Sequence, residues 1–209
     1  MDLQADRAWG TTTAVSPLPS SIPTPQVLSI SSAITLQRLL RERRSGLEEA
    51  LAVFDALSPV DPAMLWGRWQ GSEIRTGHPL EGWLELCGWY GKEFLDAETV
   101  HPLLMRIGSG DPFPIRPLPG ALNLARCLSP QAFPLPGPLL RRSLLLLRTR
   151  QSQARLRSME VRGVVSATML YDHLPVHDAF RRVDEDTVLG LMQAKGDPRP
   201  YLFLLERRP

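Results

Sequence analysis

Four side chains between positions 171 and 178 have the types and spacing of an acid/base site. Tyr171, Asp172 and His173 are consecutive, and Asp178 follows a short way along the chain. An imidazole that is oriented by a carboxylate can move protons near neutral pH. The spacing also fits turn chemistry, because Asp172 precedes a Leu-Pro turn and could accept hydrogen bonds from backbone amides there. Catalysis and structural capping therefore both stay open for Tyr171, Asp172 and His173.

The histidines and cysteines do not have the spacing of a metal site. His173 and His177 are four residues apart, but Pro175 lies between them and disfavours a continuous helix, and no HExxH motif is present. Cys87 and Cys127 show neither CxxC nor Cys/His spacing. We expect buried free thiols, and no metal.

Only two amines are available for covalent or ionic chemistry. Lys92 and Lys195 are the only lysines, each beside a glycine, and every other basic residue is an arginine. Either lysine could bind a ligand carboxylate or phosphate as a point charge. A surface salt bridge is the alternative for each.

Charge and composition exclude several classes of protein. The net charge is only +2, and the arginines of 141–162 have no aromatic residues between them, which argues against nucleic-acid binding. The longest apolar run, 144–147, is too short for a membrane span, and the first ten residues lack a signal pattern. No GxSxG, Walker or GxGxxG motif is present. We therefore expect a cytoplasmic protein with no transmembrane segment and no nucleic-acid partner.

Residue spacing predicts the elements that position these side chains. Helical spacing occurs in 34–57, where Gly46 could break the helix, and in 79–90. Prolines interrupt every pattern from 100 to 138, where we expect turns, short edge-like strands and a helical piece near 121–128. In 154–171 one parity is apolar, and the other, with Ser166 and Thr168, is predicted to face water. Strand character is found in the segments 65–74, 139–147, 154–171, 178–183, 187–195 and 201–207.

Two stretches of sequence resemble a known family. Residues 65–71 (LWGRWQG) and 88–94 (GWYGKEF) are similar to the GXWXG module of a bacterial and fungal protein family. Residues 169–181 and 183–190 are similar to the C-terminal domain of unknown function (DUF4334-type) that accompanies this module. The resemblance implies an α+β, mainly antiparallel fold, with a small lipocalin-like (calycin-like) β-barrel and a few helices, one of which could act as a lid.

The same resemblance implies structural roles for the motif residues. Trp69 on the first strand would plug one end of the barrel, and Gly67 and Gly71 would let the strand bend and cross closely. The first and last strands of a closed sheet are neighbours, so Arg207 or Arg208 is expected to cover the indole face.

Resemblance to ligand-holding barrels also predicts a function. We expect a binding or carrier protein for a small apolar, lipid-like or cofactor-like molecule held in the barrel cavity. The alternative is an isomerase or cyclase that uses the cavity for general acid/base catalysis. No cofactor, ligand identity or oligomeric state follows from the sequence. The candidate ligand-binding residues are Trp69, Trp83, Trp89, Tyr90, Lys92, Tyr171 and Lys195.

The predicted organisation has four parts. Residues 1–32 form a disordered arm rich in Pro, Ser and Thr, and residues 33–100 contain a helix and the GXWXG module. A Pro-rich connecting segment follows in 101–138. Residues 139–209 supply antiparallel strands that complete the same barrel.

Overall fold

The structure is a computed structural model that describes residues 29–207. Its α-helices are α1 (Ile30–Glu42), α2 (Leu47–Ala56), α3 (Trp83–Cys87), α4 (Ala121–Cys127) and α5 (Gly137–Ser143). Its strands are β1 (Ser58–Pro59), β2 (Gly67–Ile74), β3 (Trp89–Phe94), β4 (Val100–Met105), β5 (Phe113–Pro114), β6 (Ala154–Val161), β7 (Val164–Tyr171), β8 (Val176–Arg182), β9 (Thr187–Ala194) and β10 (Tyr201–Arg207). Short 3-10 turns occupy Pro62–Leu65, Pro130–Ala132 and Leu144–Leu147.

Eight of these strands form a closed antiparallel barrel. Around the ring the order is β8, β7, β6, β4, β3, β2, β10 and β9, and pairing of β9 with β8 closes it. The seam between β4 and β6 is narrow, since only Val100 and Ala154 pair in register and the Ser152 hydroxyl accepts from the Val100 amide. The α+β, mainly antiparallel barrel predicted from the sequence is confirmed.

Helices α1 and α2 pack on the outer face of the barrel. Leu39 of α1 and Phe54 of α2 are fully buried against the outward side chains Leu202 and Leu204 of β10. The inward side chains of β10, including Phe203, belong to the interior core. Strand β10 is thus buried on both faces, which explains its unbroken apolar sequence.

The helix predicted over 34–57 is two helices separated at Gly46, as expected. Arg43 adopts a left-handed conformation after α1, and Gly46 is the N-cap of α2. Helix α1 begins earlier than predicted, because the Ser29 hydroxyl accepts from the Ser32 amide and caps its first turn. Residues 30–32 are therefore helical and do not belong to an arm, whereas residues 1–28 lie outside the described part of the chain. No helix within 29–207 has the length and apolar character to cross a bilayer.

Two element predictions are wrong in extent or type. The helix predicted over 79–90 is limited to α3, because Gly82 and Gly88 both adopt left-handed conformations at its ends. The strand predicted over 139–147 is instead α5 followed by a 3-10 turn. Its side chains are almost all Leu or Arg, so alternation could not be recognised there. Leu140, Leu144 and Leu147 face one side, at helical spacing.

The outward parity of the hairpin formed by β6 and β7 is less exposed than predicted. Ser166 and Thr168, expected to face water, are both buried. The Ser166 hydroxyl donates to the Phe180 carbonyl at 2.6 Å and accepts from the Val60 amide at 2.8 Å. The segment around Val60, which precedes β2, thus packs over β7 and shields its outward side chains from solvent.

Candidate functional site

One end of the barrel is closed by Trp69. Its indole is fully buried and its Nε1 donates to the Leu65 carbonyl at 2.7 Å. The Arg207 guanidinium lies 4.5 Å from the indole centroid, and Trp69 and Arg207 are register partners in β2 and β10. Arg207 also donates to the carbonyls of Met64 and Trp66, at 2.7 and 3.1 Å. The arginine therefore supplies hydrogen bonds to two backbone carbonyls before β2 and also covers the indole face in a cation–π contact.

The two motif glycines serve different steric needs. Gly67 has a φ of +107°, which side-chain-bearing residues rarely adopt. Gly71 leaves room for the ring of Trp89, because a Cβ at position 71 would lie 2.2 Å from Trp89 Cη2. Trp89 in turn donates from Nε1 to the Gly91 carbonyl at 2.9 Å and meets Phe203 edge to face. The second glycine thus sets the position of an interior tryptophan.

Above these rings, at the end of the barrel opposite Trp69, lies a cavity of about 340 Å³. Its barrel wall includes Trp89, Met105 and Phe203. The other wall is a cap formed by α3, α4, α5 and the 3-10 turn Leu144–Leu147, which contribute mainly leucines. Within the cap, α4 and the first two residues of α5 come from the Pro-rich segment 101–138, where the sequence predicted a helical piece near 121–128.

Buried Glu73 on β2 anchors the cap. Its carboxylate accepts from the backbone amides of Gly82, Leu84 and Glu85 at 2.7, 3.1 and 3.3 Å, in the first turn of α3. Burial raises the pKa of Glu73, and the amide hydrogen bonds oppose that rise. The carboxylate binds the positive end of the helix and so ties the cap to the barrel.

Trp83 connects the parts of the cap to one another. Its Nε1 donates to the carbonyls of Ala125 and Leu128, at 2.9 and 3.1 Å, and its ring meets Phe133 edge to face. Cys87 from the same helix also faces the cavity, and burial raises its thiol pKa to about 11. Cys127 is exposed, which corrects the prediction that both thiols are buried.

A buried ion pair crosses the barrel at the cavity. Lys92 Nζ on β3 lies 2.8 Å from Asp178 Oδ2 on β8, and both side chains are at most 3% exposed. Strands β3 and β8 are not neighbours in the sheet, so this contact spans the lumen. Lys92 also donates to the Pro102 carbonyl at 3.2 Å and lies 4.9 Å from the Phe203 ring centroid. The predicted surface salt bridge of Lys92 is thus an interior one.

The Asp178 carboxylate retains unused acceptor capacity. Neither of its oxygens has a hydrogen-bond partner of good geometry among the described residues, although Oδ2 faces the ammonium of Lys92. Tyr171 shares this wall, and burial together with the charge of Asp178 raises its pKa well above the ordinary value, so its phenol stays protonated. The polar end of the cavity therefore offers an ammonium, a carboxylate and a hydroxyl.

Several residues predicted for the site lie elsewhere. Asp172 and His173 are exposed, and the Asp172 carboxylate lies 3.7 Å from Arg155 Nε without accepting a turn amide. Tyr90 follows the inward Trp89 and therefore points outward, where the Arg106 guanidinium lies 5.0 Å from its ring centroid. Lys195 is exposed at a turn.

The structure thus brings together Trp83, Trp89, Lys92 and Tyr171, which all line the cavity. Trp69 is at the closed end, outside the lining, and Arg208 lies beyond the described residues. Glu73 and the pairing of Lys92 with Asp178 were missed from the sequence. Their signal is a charged residue at an inward position of a strand, since Glu73 shares the parity of Trp69, and Asp178 that of Phe180.

Comparisons with known proteins cover most of this architecture. The family described as "GXWXG protein" matches residues 52–110, and the family described as "Domain of unknown function (DUF4334)" matches residues 152–207. A crystal structure of a protein from Thermomonospora curvata is similar, with 30% sequence identity and a TM-score of 0.65. The similarity covers 86% of this chain and 100% of that one. No functionally curated protein matches the sequence.

Proposed function

We propose that this chain, which belongs to the GXWXG protein family, binds and carries a small apolar molecule inside its capped barrel. The observation that carries the proposal is the cavity of about 340 Å³ between the barrel and the leucine-rich cap. Small-molecule sites are concave and mostly apolar, and a few polar groups in them fix the orientation of the ligand.

The cavity volume limits the size of the ligand. At roughly 30 Å³ per heavy atom, the share of a water molecule in the liquid, the cavity holds about 11 such atoms. A medium-length alkyl chain or a compact bicyclic molecule fits this limit, whereas haem does not. Anchoring of α3 by Glu73 supports a cap that keeps the bound molecule out of water.

Thermal shifts test the carrier proposal directly. A ligand that binds only the folded state raises Tm, so we expect 1-decanol to stabilise the protein in a concentration-dependent manner. Leu122→Trp, which fills the cavity from the cap, should abolish this shift. Leu146→Trp, at a position that is 89% exposed, is the matched control and should retain it. If neither 1-decanol nor a panel of fatty acids and isoprenoids moves Tm, and native mass spectrometry finds no bound mass, the proposal is wrong.

A second candidate function rests on the ion pair. Lys92, Asp178 and Tyr171 are acid/base side chains at one wall of the cavity, as an isomerase or cyclase acting by proton transfer would need. Such an enzyme should exchange the protons next to the carbonyl of 2-decanone for deuterium in D₂O. The double variant Lys92→Met/Asp178→Leu should lose this exchange, and exchange at the uncatalysed rate in the wild type would eliminate the candidate.

A further inference from the structure

Building on the proposed carrier function, we propose that the ligand is a neutral apolar alcohol whose hydroxyl group lies beside the Lys92–Asp178 pair, donates to Asp178 Oδ1 and accepts from Lys92 Nζ. The apolar part would occupy the space between the barrel wall and the cap. The pair then defines the chemical class of the ligand, as well as its orientation.

The first step concerns the hydrogen bonds that the carboxylate lacks. Asp178 is 1% exposed and lines the cavity, and its Oδ1 has no hydrogen-bond donor among the described residues. A buried carboxylate oxygen without a donor is costly, and an ionised carboxylate can only accept. The group that completes this site must therefore donate a hydrogen bond.

The second step concerns Lys92. Its ammonium has three donors, of which one faces Asp178 and one binds the Pro102 carbonyl. Its remaining surroundings are the rings of Trp89, Tyr171 and Phe203, with centroids between 4.9 and 5.7 Å from Nζ. A ligand atom beside Nζ must therefore be a hydrogen-bond acceptor that tolerates an apolar, aromatic surrounding.

A hydroxyl group meets both requirements at a single atom, because it donates and accepts. A ketone or an ether could accept from Lys92 but would leave Asp178 Oδ1 without a donor. A carboxylate would place a second negative charge beside Asp178, and an amine would place a second positive charge beside Lys92. The charges of the pair balance each other, so they favour an uncharged ligand.

Two isomeric ligands isolate the donor. 1-Decanol and 1-methoxynonane have the same molecular formula, but only the alcohol has an O–H group that can donate a hydrogen bond. Both match the limit of about 11 heavy atoms. Isothermal titration calorimetry should give a Kd for the alcohol at least about tenfold lower than that for the ether, because the alcohol alone supplies a donor to a charged acceptor. Decanoate should bind more weakly than the alcohol.

A double variant makes the same test from the side of the protein. Lys92→Met/Asp178→Leu removes both charges, so no unpaired charge stays buried and the barrel should fold. The preference for the alcohol over the ether should fall to about twofold or less. Lys195→Met is the matched control at the other, exposed lysine and should keep the wild-type preference.

The outcomes separate this inference from the carrier proposal. If the ether or decanoate binds wild type as tightly as the alcohol, the inference is wrong and the carrier proposal stands. The inference also fails if the double variant keeps the full preference. If none of the three ligands binds and the wider thermal-shift panel is also silent, the carrier proposal itself fails.

Discussion

Replacing Gly71 by alanine tests whether the second glycine of the motif exists to accommodate Trp89. The added Cβ would lie 2.2, 2.5 and 2.6 Å from three ring atoms of Trp89, where ordinary contact begins at 3.4 Å. The ring must therefore move by about 1 Å or more. That movement strains its hydrogen bond to the Gly91 carbonyl and its contact with Phe203.

The expected cost follows from overpacking of an interior site. Inserting a methyl group into a well-packed core destabilises by about 1–3 kcal/mol. For a chain of this size each kcal/mol lowers Tm by about 2–4 °C. Trp89 also lines the cavity, so its displacement toward the lumen should weaken binding of 1-decanol. Urea unfolding and calorimetric titration measure the two effects.

A double-mutant cycle identifies the cause. Leu at position 89 lacks the ring atoms that the new Cβ would meet, so Gly71→Ala should cost close to nothing in a Trp89→Leu background. Gly67→Ala is the matched control. Its penalty comes from a φ of +107°, and the nearest atom to its Cβ, on Arg207, is 3.8 Å away. That penalty should be unchanged in the Trp89→Leu background, and an equal, background-independent cost for Gly71→Ala would refute the steric explanation.

Two further changes test the cap. Glu73→Gln turns one acceptor oxygen into an NH₂ donor that faces backbone amides. It should therefore lower the free energy of unfolding by about 1–3 kcal/mol and speed amide hydrogen exchange in α3. Unchanged exchange would contradict the anchoring role. The pKa of the Cys87 thiol is raised to about 11 from 9.0, so its stabilisation is present below pH 9 and is lost as pH approaches 11. In urea titrations, the free energy of unfolding of wild type minus that of Cys87→Ala should therefore fall by up to about 2 kcal/mol across this pH range. If the two proteins give parallel pH profiles, the linkage is excluded.

Local patterns predicted helices followed by consecutive antiparallel strands, and the family resemblance implied that these strands close into a barrel. Alternation predicted the strands of 154–171, and turn signals divided the strands that follow. Closure of a sheet makes the first and last strands neighbours, which predicted Arg207 or Arg208 on Trp69, and Arg207 is the one found there. The position of Gly46 predicted the break between α1 and α2. These features depend on residues close in sequence or on a topological rule, so a single sequence contains them.

The cap and the ion pair depend on distant contacts. The leucines at 140, 144 and 147 face the cavity at helical spacing, but neighbouring leucines and arginines hide that period. Lys92 and Asp178 meet across the lumen, from strands that are not paired, so no local register relates them. Proximity in sequence instead suggested Asp172 and His173 as acid/base residues, but both lie in a turn that is exposed to solvent.

The interior ion pair is difficult to explain by stability alone. Removing two charges from water costs several kcal/mol per ion, and well-packed apolar residues in the same place often stabilise as much or more. Phe94 and Phe180, close along β3 and β8, already form such an apolar contact, with ring centroids 5.8 Å apart. Lys92 and Asp178 occur where the packed core gives way to the cavity, and Oδ1 of the carboxylate has no hydrogen-bond donor within 29–207. A ligand hydroxyl would offset that cost, which is the physical reason for our proposal that the pair and the cavity form one binding site.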